Sequence, residues 1–223
     1  DAYRRLVASY GEVVAGLPAS LFEAEIDRVT QGQDERLLDF SQLRQLTRSF
    51  LGLYETHAGR PFPQDAREQL SGAIEAVFAS WNADKAVQYR RIHQIDHDMG
   101  TAVILQRMVF GNTGGHSGAG VGFTRDPGTG EPRLWVDFLA NAQGEDVVSG
   151  RRNAHGHATL AAVAPDAWKQ LQASAQALEQ HFGDMQDFEF TVQDGVLHML
   201  QTRSAKRTPL AAARIALDLL DEG

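Results

Sequence analysis

The sequence contains no cysteine. Disulfides, thiolate zinc sites, iron–sulfur clusters and cysteine nucleophiles are therefore excluded, and a reducing compartment fits. It also lacks any apolar run of about 18 residues or more, so no membrane span is expected. The N-terminus carries no signal-peptide pattern, and the expected location is cytoplasmic. Basic residues are in deficit, 21 against 29 acidic for a formal charge of −8, which disfavours a free-standing nucleic-acid binder. Internal repeats and low-complexity linkers are absent too. What remains is a chain of 223 residues, 43% hydrophobic and 22% charged, which is ordinary for one large globular domain or two small ones. It opens at Asp1 without a methionine and runs straight into an amphipathic segment, Ala2 to Val14. We expect an excised or processed piece of a longer protein.

Two regions read differently. Residues 1–98 carry helical periodicity: Tyr3, Leu6, Val7 and Tyr10 share one face, as do Leu43, Leu46, Phe50, Leu51 and Tyr54. Pro18-Ala19-Ser20 precedes one helix, Ser41 is the expected cap of the next, and Gly59 to Pro63 ends it. A third helix, about Gln64 to Trp81, presents Leu70, Ile74, Val77 and Phe78. From residue 99 the pattern changes to apolar runs and turns. Strands are expected over Thr101–Phe110, Gly120–Thr124 and Arg133–Leu139, the last two joined by turn residues Asp126 to Gly130. A helix over Pro165–Phe182 follows, then two strands, Asp187–Val192 and Val196–Leu200, around Asp194-Gly195, the strongest hairpin signal in the chain. A last helix, about Pro209 to Leu220, leaves the sheet. The expected organisation is a helical subdomain over 1–98, an α+β subdomain over 99–208, and a C-terminal helix over 209–223.

Two features could carry chemistry. Gly111 to Gly122 holds six glycines in twelve residues; such a loop can cradle an anion with its N–H groups, or simply connect two strands. In the closing hairpin, Asp187 and Glu189 alternate with Phe188 and Phe190, so both carboxylates share a face, and Gln201 and Arg203 share one on the partner strand. Two carboxylates, an amide oxygen and a guanidinium make a hard-oxygen cradle for Mg²⁺ with a cation for phosphate. A solvated sheet face with cross-strand ion pairs is the other reading. His155-Gly-His157 reads as a surface loop rather than a metal pair, His93 and His97 as a polar helix end, and Arg90-Arg91 as a salt-bridged helix surface. Trp81, Trp135 and Trp168 read as packing positions.

A wider set of motifs, in order along nearly the whole chain, resembles the nucleotide-binding region of the pyruvate phosphate dikinase family. They are Tyr10-Gly-Glu-Val-Val14, Phe62-Pro-Gln-Asp65, Gly72 to Phe78, Tyr89-Arg-Arg91, Gln106 to Gly111, Ser117 to Arg125, Pro127 to Glu131, Asn141 to Val148, Met185 to Phe190, and Met199 to Arg203 with Lys206-Arg-Thr208. The resemblance implies an α+β fold, part of an ATP-grasp domain in which a helical subdomain precedes a mixed or antiparallel sheet with flanking helices. It implies binding of ATP with Mg²⁺, and transfer of the β-phosphoryl group to a histidine on a separate swivelling domain that then serves pyruvate. By position, Glu189 and Gln201 match the metal ligands, while Asp187 and the catalytic Arg203 match their neighbours. Gln106 and Glu145 match groups facing the nucleotide, and Ser117, Gly118 and Gly120 match a mobile loop over the phosphates.

Two departures stand out. Position 119 is Ala where the family usually has Thr, removing a hydroxyl worth about 1 kcal/mol of net hydrogen bonding. The family's first ATP-grasp subdomain, with its phosphate-binding Lys and Arg, and the Thr-Ser-His segment lie outside these residues. The partners implied are ATP and the phosphohistidine and pyruvate-binding domains of the same protein, itself a homodimer through another domain; this piece alone is expected to be inactive and to bind ATP weakly. Alternatives are a non-catalytic or regulatory interaction module, or a phosphoenolpyruvate synthase relative. Glu145, Glu189, Gln201 and Arg203 together favour the kinase reading, since facing carboxylates without a metal repel each other and are lost early.

Overall fold

The computed structural model describes residues 1–33, 38–148 and 155–222. The chain forms two compact units, Asp1–Leu105 and Gln106–Gly223, and the class is α+β.

The first unit is helical: α1 (Ala2–Val13), α2 (Ala19–Thr30), α3 (Phe40–Ala58), α4 (Ala66–Ser80) and α5 (Asp84–His93). Its core gathers Val7, Tyr10, Leu17, Phe22, Leu46, Phe50, Tyr54 and Phe62, the apolar faces that the 3.6-residue period predicts for α1 and α3. Edge-to-face aromatic contacts organise it, with Phe62 5.3 Å from both Tyr10 and Tyr54. Helix α3 is capped by Asp39 rather than Ser41. The Gln42 N–H donates to Asp39 Oδ1 at 2.8 Å and the Asp39 N–H to Gln42 Oε1 at 2.9 Å, a reciprocal capping box. Asp39 has the extended backbone a cap needs (φ −74°, ψ 172°), while Ser41 already lies in the first turn. At the other end Gly59 adopts φ 69°, as a helix-terminating glycine should.

Arg90 is not on a surface: it is 4% exposed. Its Nη1 donates to the Trp81 carbonyl at 2.6 Å, its Nε to His97 Nδ1 at 3.1 Å, and its guanidinium lies 3.8 Å from the Trp81 ring centroid. His97 belongs to a short 3₁₀ turn, His97–Met99, beyond the end of α5 at His93, so the two histidines share no helix.

The second unit is built on a sheet of β1 (Gly118–Phe123), β2 (Trp135–Ala140), β3 (His155–Gly156), β4 (Gln186–Gln193) and β5 (Val196–Ser204), in the order β3-β2-β1-β4-β5. Every pairing is antiparallel. Helices α6 (Gly144–Val148), α7 (His157–Val163), α8 (Pro165–Phe182) and α9 (Pro209–Glu222) complete it. One sheet face packs on α7 and α8 through Val136, Phe138, Phe188, Phe190 and Val192 against Leu160, Ala167, Leu171 and Ala175. Trp168 packs on this core and Trp135 meets Phe123 edge-on. The side chain of His155 lies outside the described residues.

Two sequence expectations change here. Thr101–Phe110 has no regular structure. Its apolar composition is strand-like, but a strand needs a partner backbone; Ile104 and Leu105 are exposed, and the Phe110 N–H is spent on the Gln193 side chain at 2.8 Å. The glycine-rich stretch, in turn, is a loop only as far as Ser117. Gly118, Gly120 and Gly122 lie in β1, where Cβ atoms would collide with the rings of Phe138, Phe190 and Phe188 respectively. These glycines let three phenylalanines lie flat on a central strand.

A buried ion cluster ties the sheet to its helices. Arg125, 1% exposed, donates to Glu179 of α8 at 2.9 Å and to Asp218 of α9 at 3.2 Å. Thr124 Oγ1 donates to the same Glu179 carboxylate at 2.5 Å and accepts the Gln186 N–H at 3.1 Å.

Candidate functional site

The β4–β5 hairpin turns through Asp194 (φ 51°) and Gly195 (φ 81°), the left-handed pair that Asp-Gly supplies. Its register places Glu189 opposite Gln201 and Asp187 opposite Arg203. A shift in that register at Glu189/Phe190 leaves Leu200 without a partner. The consequence is specific. In an unbroken strand Met199 and Gln201 would share a face. The bulge instead sends Leu197 and Met199 to the phenylalanine core and turns Gln201 to the carboxylate side, as bulges near sites do.

On that side lies a cavity of about 380 Å³, bordered by Gln106, Glu145, Glu189 and Gln201, together with Arg107, Gln143, Thr191 and Leu200. Four of the residues singled out from the sequence thus meet, although 95 positions separate the first from the last. Each comes from a different local device. Gln106 stands on the irregular stretch beside β5. Glu145 is set by α6, whose start is fixed by the Gln143 N–H donating to Asp146 Oδ2 at 2.9 Å and by Gln143 Nε2 donating to Asn112 Oδ1 at 3.2 Å. Glu189 and Gln201 are cross-strand neighbours. A second, larger groove of about 840 Å³ adjoins along Gln106–Phe110 and Val196–Leu200, with polar and apolar residues both in its lining.

Asp187 and Arg203 do not border the cavity but form a 2.8 Å ion pair two pairs along the ladder, at the next position on the same face. The Arg203 pKa is raised, first by its hydrogen bond to Asp187, with the Glu189 charge adding to it. Its side chain remains 62% exposed. Ser117 is fully buried, and its hydroxyl accepts the Asp194 N–H at 2.9 Å. Gly118 and Gly120, paired on both sides within β1, have their N–H groups committed to the sheet, so any anion cradle falls to Gly111–Ser117. Ala119 likewise sits in β1, fully buried.

The donor set suits a hard cation that keeps other ligands. Among the described residues no group of three or more His, Asp or Glu side chains is placed to hold a metal by itself. Glu189 and Gln201 offer one carboxylate and one amide oxygen, which matches Mg²⁺ bound by few protein groups plus phosphates and water, rather than an all-protein cage. Arg107, Gln143, Thr191 and Leu200 were not singled out from the sequence. Leu200 carries no sequence signal, since a bulge is invisible in composition, whereas Gln143 could have been inferred from its place two residues before Glu145.

The chain matches the pyruvate phosphate dikinase AMP/ATP-binding domain over residues 41–162 and 157–223. It is 47% identical to the pyruvate, phosphate dikinase of Clostridium symbiosum over 227 residues, covering all of this chain and 26% of that protein. Against the chloroplastic pyruvate, phosphate dikinase of Mesembryanthemum crystallinum the identity is 46%, over all of this chain and 24% of the relative. It therefore spans about a quarter of the length of these relatives. The chain belongs to the pyruvate phosphate dikinase AMP/ATP-binding domain family.

Proposed function

We propose that this chain supplies part of the MgATP site of a pyruvate phosphate dikinase, whose ATP-derived phosphoryl group passes to a histidine of a separate domain on the way to phosphoenolpyruvate. The observation that carries this reading is the convergence of Gln106, Glu145, Glu189 and Gln201 on one cavity. Glu189 and Gln201 would hold Mg²⁺ through oxygen, and the bound ion would neutralise charge on the polyphosphate. Arg203, held by Asp187 at 2.8 Å, offers a guanidinium near the same edge and is the group assigned to charge developing during transfer. Gln106 and Glu145 orient the nucleotide. No general base is required of the chain, since phosphoryl transfer depends chiefly on positioning and charge neutralisation.

The test is Mg²⁺-dependent binding of a non-hydrolysable ATP analogue to the whole protein that contains this chain, compared with its Glu189→Ala variant. We expect at least a tenfold loss of affinity in magnesium and little difference in its absence. Equal affinities in magnesium would remove the ligand assignment.

A further inference from the structure

The glycine-rich segment is gripped by the turn that lies opposite it. Four consecutive features make the grip. The Phe110 N–H donates to Gln193 Oε1 at 2.8 Å. The Thr113 hydroxyl lies 3.2 Å from Asp194 Oδ1 and 2.7 Å from Ser117 Oγ. The Asp194 N–H donates to Ser117 Oγ at 2.9 Å, and the Gly195 N–H to the His116 carbonyl at 2.9 Å. His116 is further fixed where its Nδ1 meets the Val163 carbonyl at 3.0 Å. Between these anchors, Gly114 and Gly115 have open space where a side chain would project. Both ends of the segment are thus held, and its tip is open. Gly111, where the segment begins, borders the cavity, and Asn112 holds Gln143 on its wall.

We propose that Asp194 is a positioning residue for nucleotide binding: through Thr113 and Ser117 it sets the pose of the Gly111–Ser117 loop beside the phosphate end of the site. The inference rests on the nucleotide reading above. It assigns Ser117 a role facing Asp194 rather than the ligand. Asp194 itself does not border the cavity. Its carboxylate accepts the Thr113 hydroxyl proton at 3.2 Å, while its backbone donates to Ser117 Oγ and supplies the left-handed turn. These two contributions can be separated, because glycine keeps the turn at φ 51° and removes the carboxylate. Asparagine keeps both the turn and an acceptor oxygen.

The experiment uses the whole protein with Asp194→Gly, Asp194→Asn and, as reference, Glu189→Ala, measuring the KM for MgATP, kcat and thermal midpoint of each. We expect Asp194→Gly to raise the KM for MgATP at least fivefold with its melting temperature close to wild type, and Asp194→Asn to return the KM to within twofold. Combining Asp194→Gly with Thr113→Val should add little to the KM of either alone, because both remove the contact between the Asp194 carboxylate and the Thr113 hydroxyl. A wild-type KM in Asp194→Gly overturns the inference, as does a defect in Asp194→Asn equal to that in Asp194→Gly. If Glu189→Ala weakens MgATP and Asp194→Gly does not, only the positioning role fails. If Glu189→Ala also leaves MgATP unchanged, the nucleotide reading fails with it.

Discussion

The two units bury different things. Residues 1–105 enclose aliphatic and aromatic side chains, and among the described residues their buried polar ones are few: Arg4, Thr30 and Arg90. Residues 106–223 enclose a comparable apolar core but also Ser117, Thr124, Arg125, Gln143, Asp146, Gln186 and Thr191. Several of these are not passengers: Ser117, Gln143 and Asp146 hold the loop and helix that border the cavity, while Thr124 and Arg125 tie the sheet to α8 and α9. Apolar packing fixes how elements stack to within their tolerance for repacking. Buried hydrogen bonds fix which side chain points where, because leaving one unmade costs more than making it gains. Both units use them, Arg90 in the first among them, but the unit that carries the candidate site uses more of them.

The sharpest way to break this comparison is to remove one buried cation. Arg125→Met leaves the Glu179 carboxylate, 16% exposed, without its guanidinium, and should cost about 3–5 kcal/mol in chemical denaturation of the whole protein. Arg28→Ala in the helical unit removes an ion pair of 2.6 Å to Glu25, but that guanidinium is 57% exposed, and solvent screening should leave a far smaller loss than that of Arg125→Met. Similar losses for the two would mean that the polar cluster of the second unit has no special weight.

Glycine to alanine offers a second contrast with opposite signs. At Gly120 a Cβ would meet the Phe190 ring and, at 2.7 Å, the Asp137 carbonyl oxygen, so the central strand must shift; overpacking of this kind costs about 1–3 kcal/mol. At Gly52, inside α3, nothing lies within 4 Å, and alanine should stabilise the helix by about 0.5–1 kcal/mol. Thermal melts of the two single variants decide it. A stabilising Gly120→Ala would show that the β1 glycines serve something other than ring packing.

Legibility in the sequence followed the range of the physics involved. Helix α8 matches its expected limits, Pro165–Phe182, because proline at the start, a clean apolar stripe and a closing glycine are all local signals. The hairpin was equally legible, since Asp194-Gly195 encodes its own backbone angles. Thr101–Phe110 misled because a strand is defined by its neighbour, which composition does not reveal. The glycines of β1 misled for the same reason: only the ladder shows that Phe138, Phe188 and Phe190 lie across them. At the site, the carboxylate face of β4 followed from a period of two, and Gln201 was placed on a shared face with Arg203. That Gln201 rather than Met199 turns to the cavity depends on the Leu200 bulge, a long-range outcome of fitting Met199 into the core.

The smallest effect tests the converse in the helical unit. Tyr54 is fully buried, and its hydroxyl is the one buried side-chain polar atom without a hydrogen-bond partner among the described residues. Its ring packs against Phe62 at 5.3 Å, so the ring is what the core uses. An unsatisfied buried hydroxyl carries a desolvation cost, and deleting it leaves only a small void to offset the gain. Tyr54→Phe should therefore hold stability or raise it, by no more than about 1 kcal/mol, as read from the thermal midpoint. In the second unit the Ser117 hydroxyl is engaged by Asp194 and Thr113, so Ser117→Ala should lower stability where Tyr54→Phe does not. A clear loss from Tyr54→Phe would mean that this hydroxyl has a partner in the folded protein, and the distinction between an apolar unit and a polar-wired one would narrow accordingly.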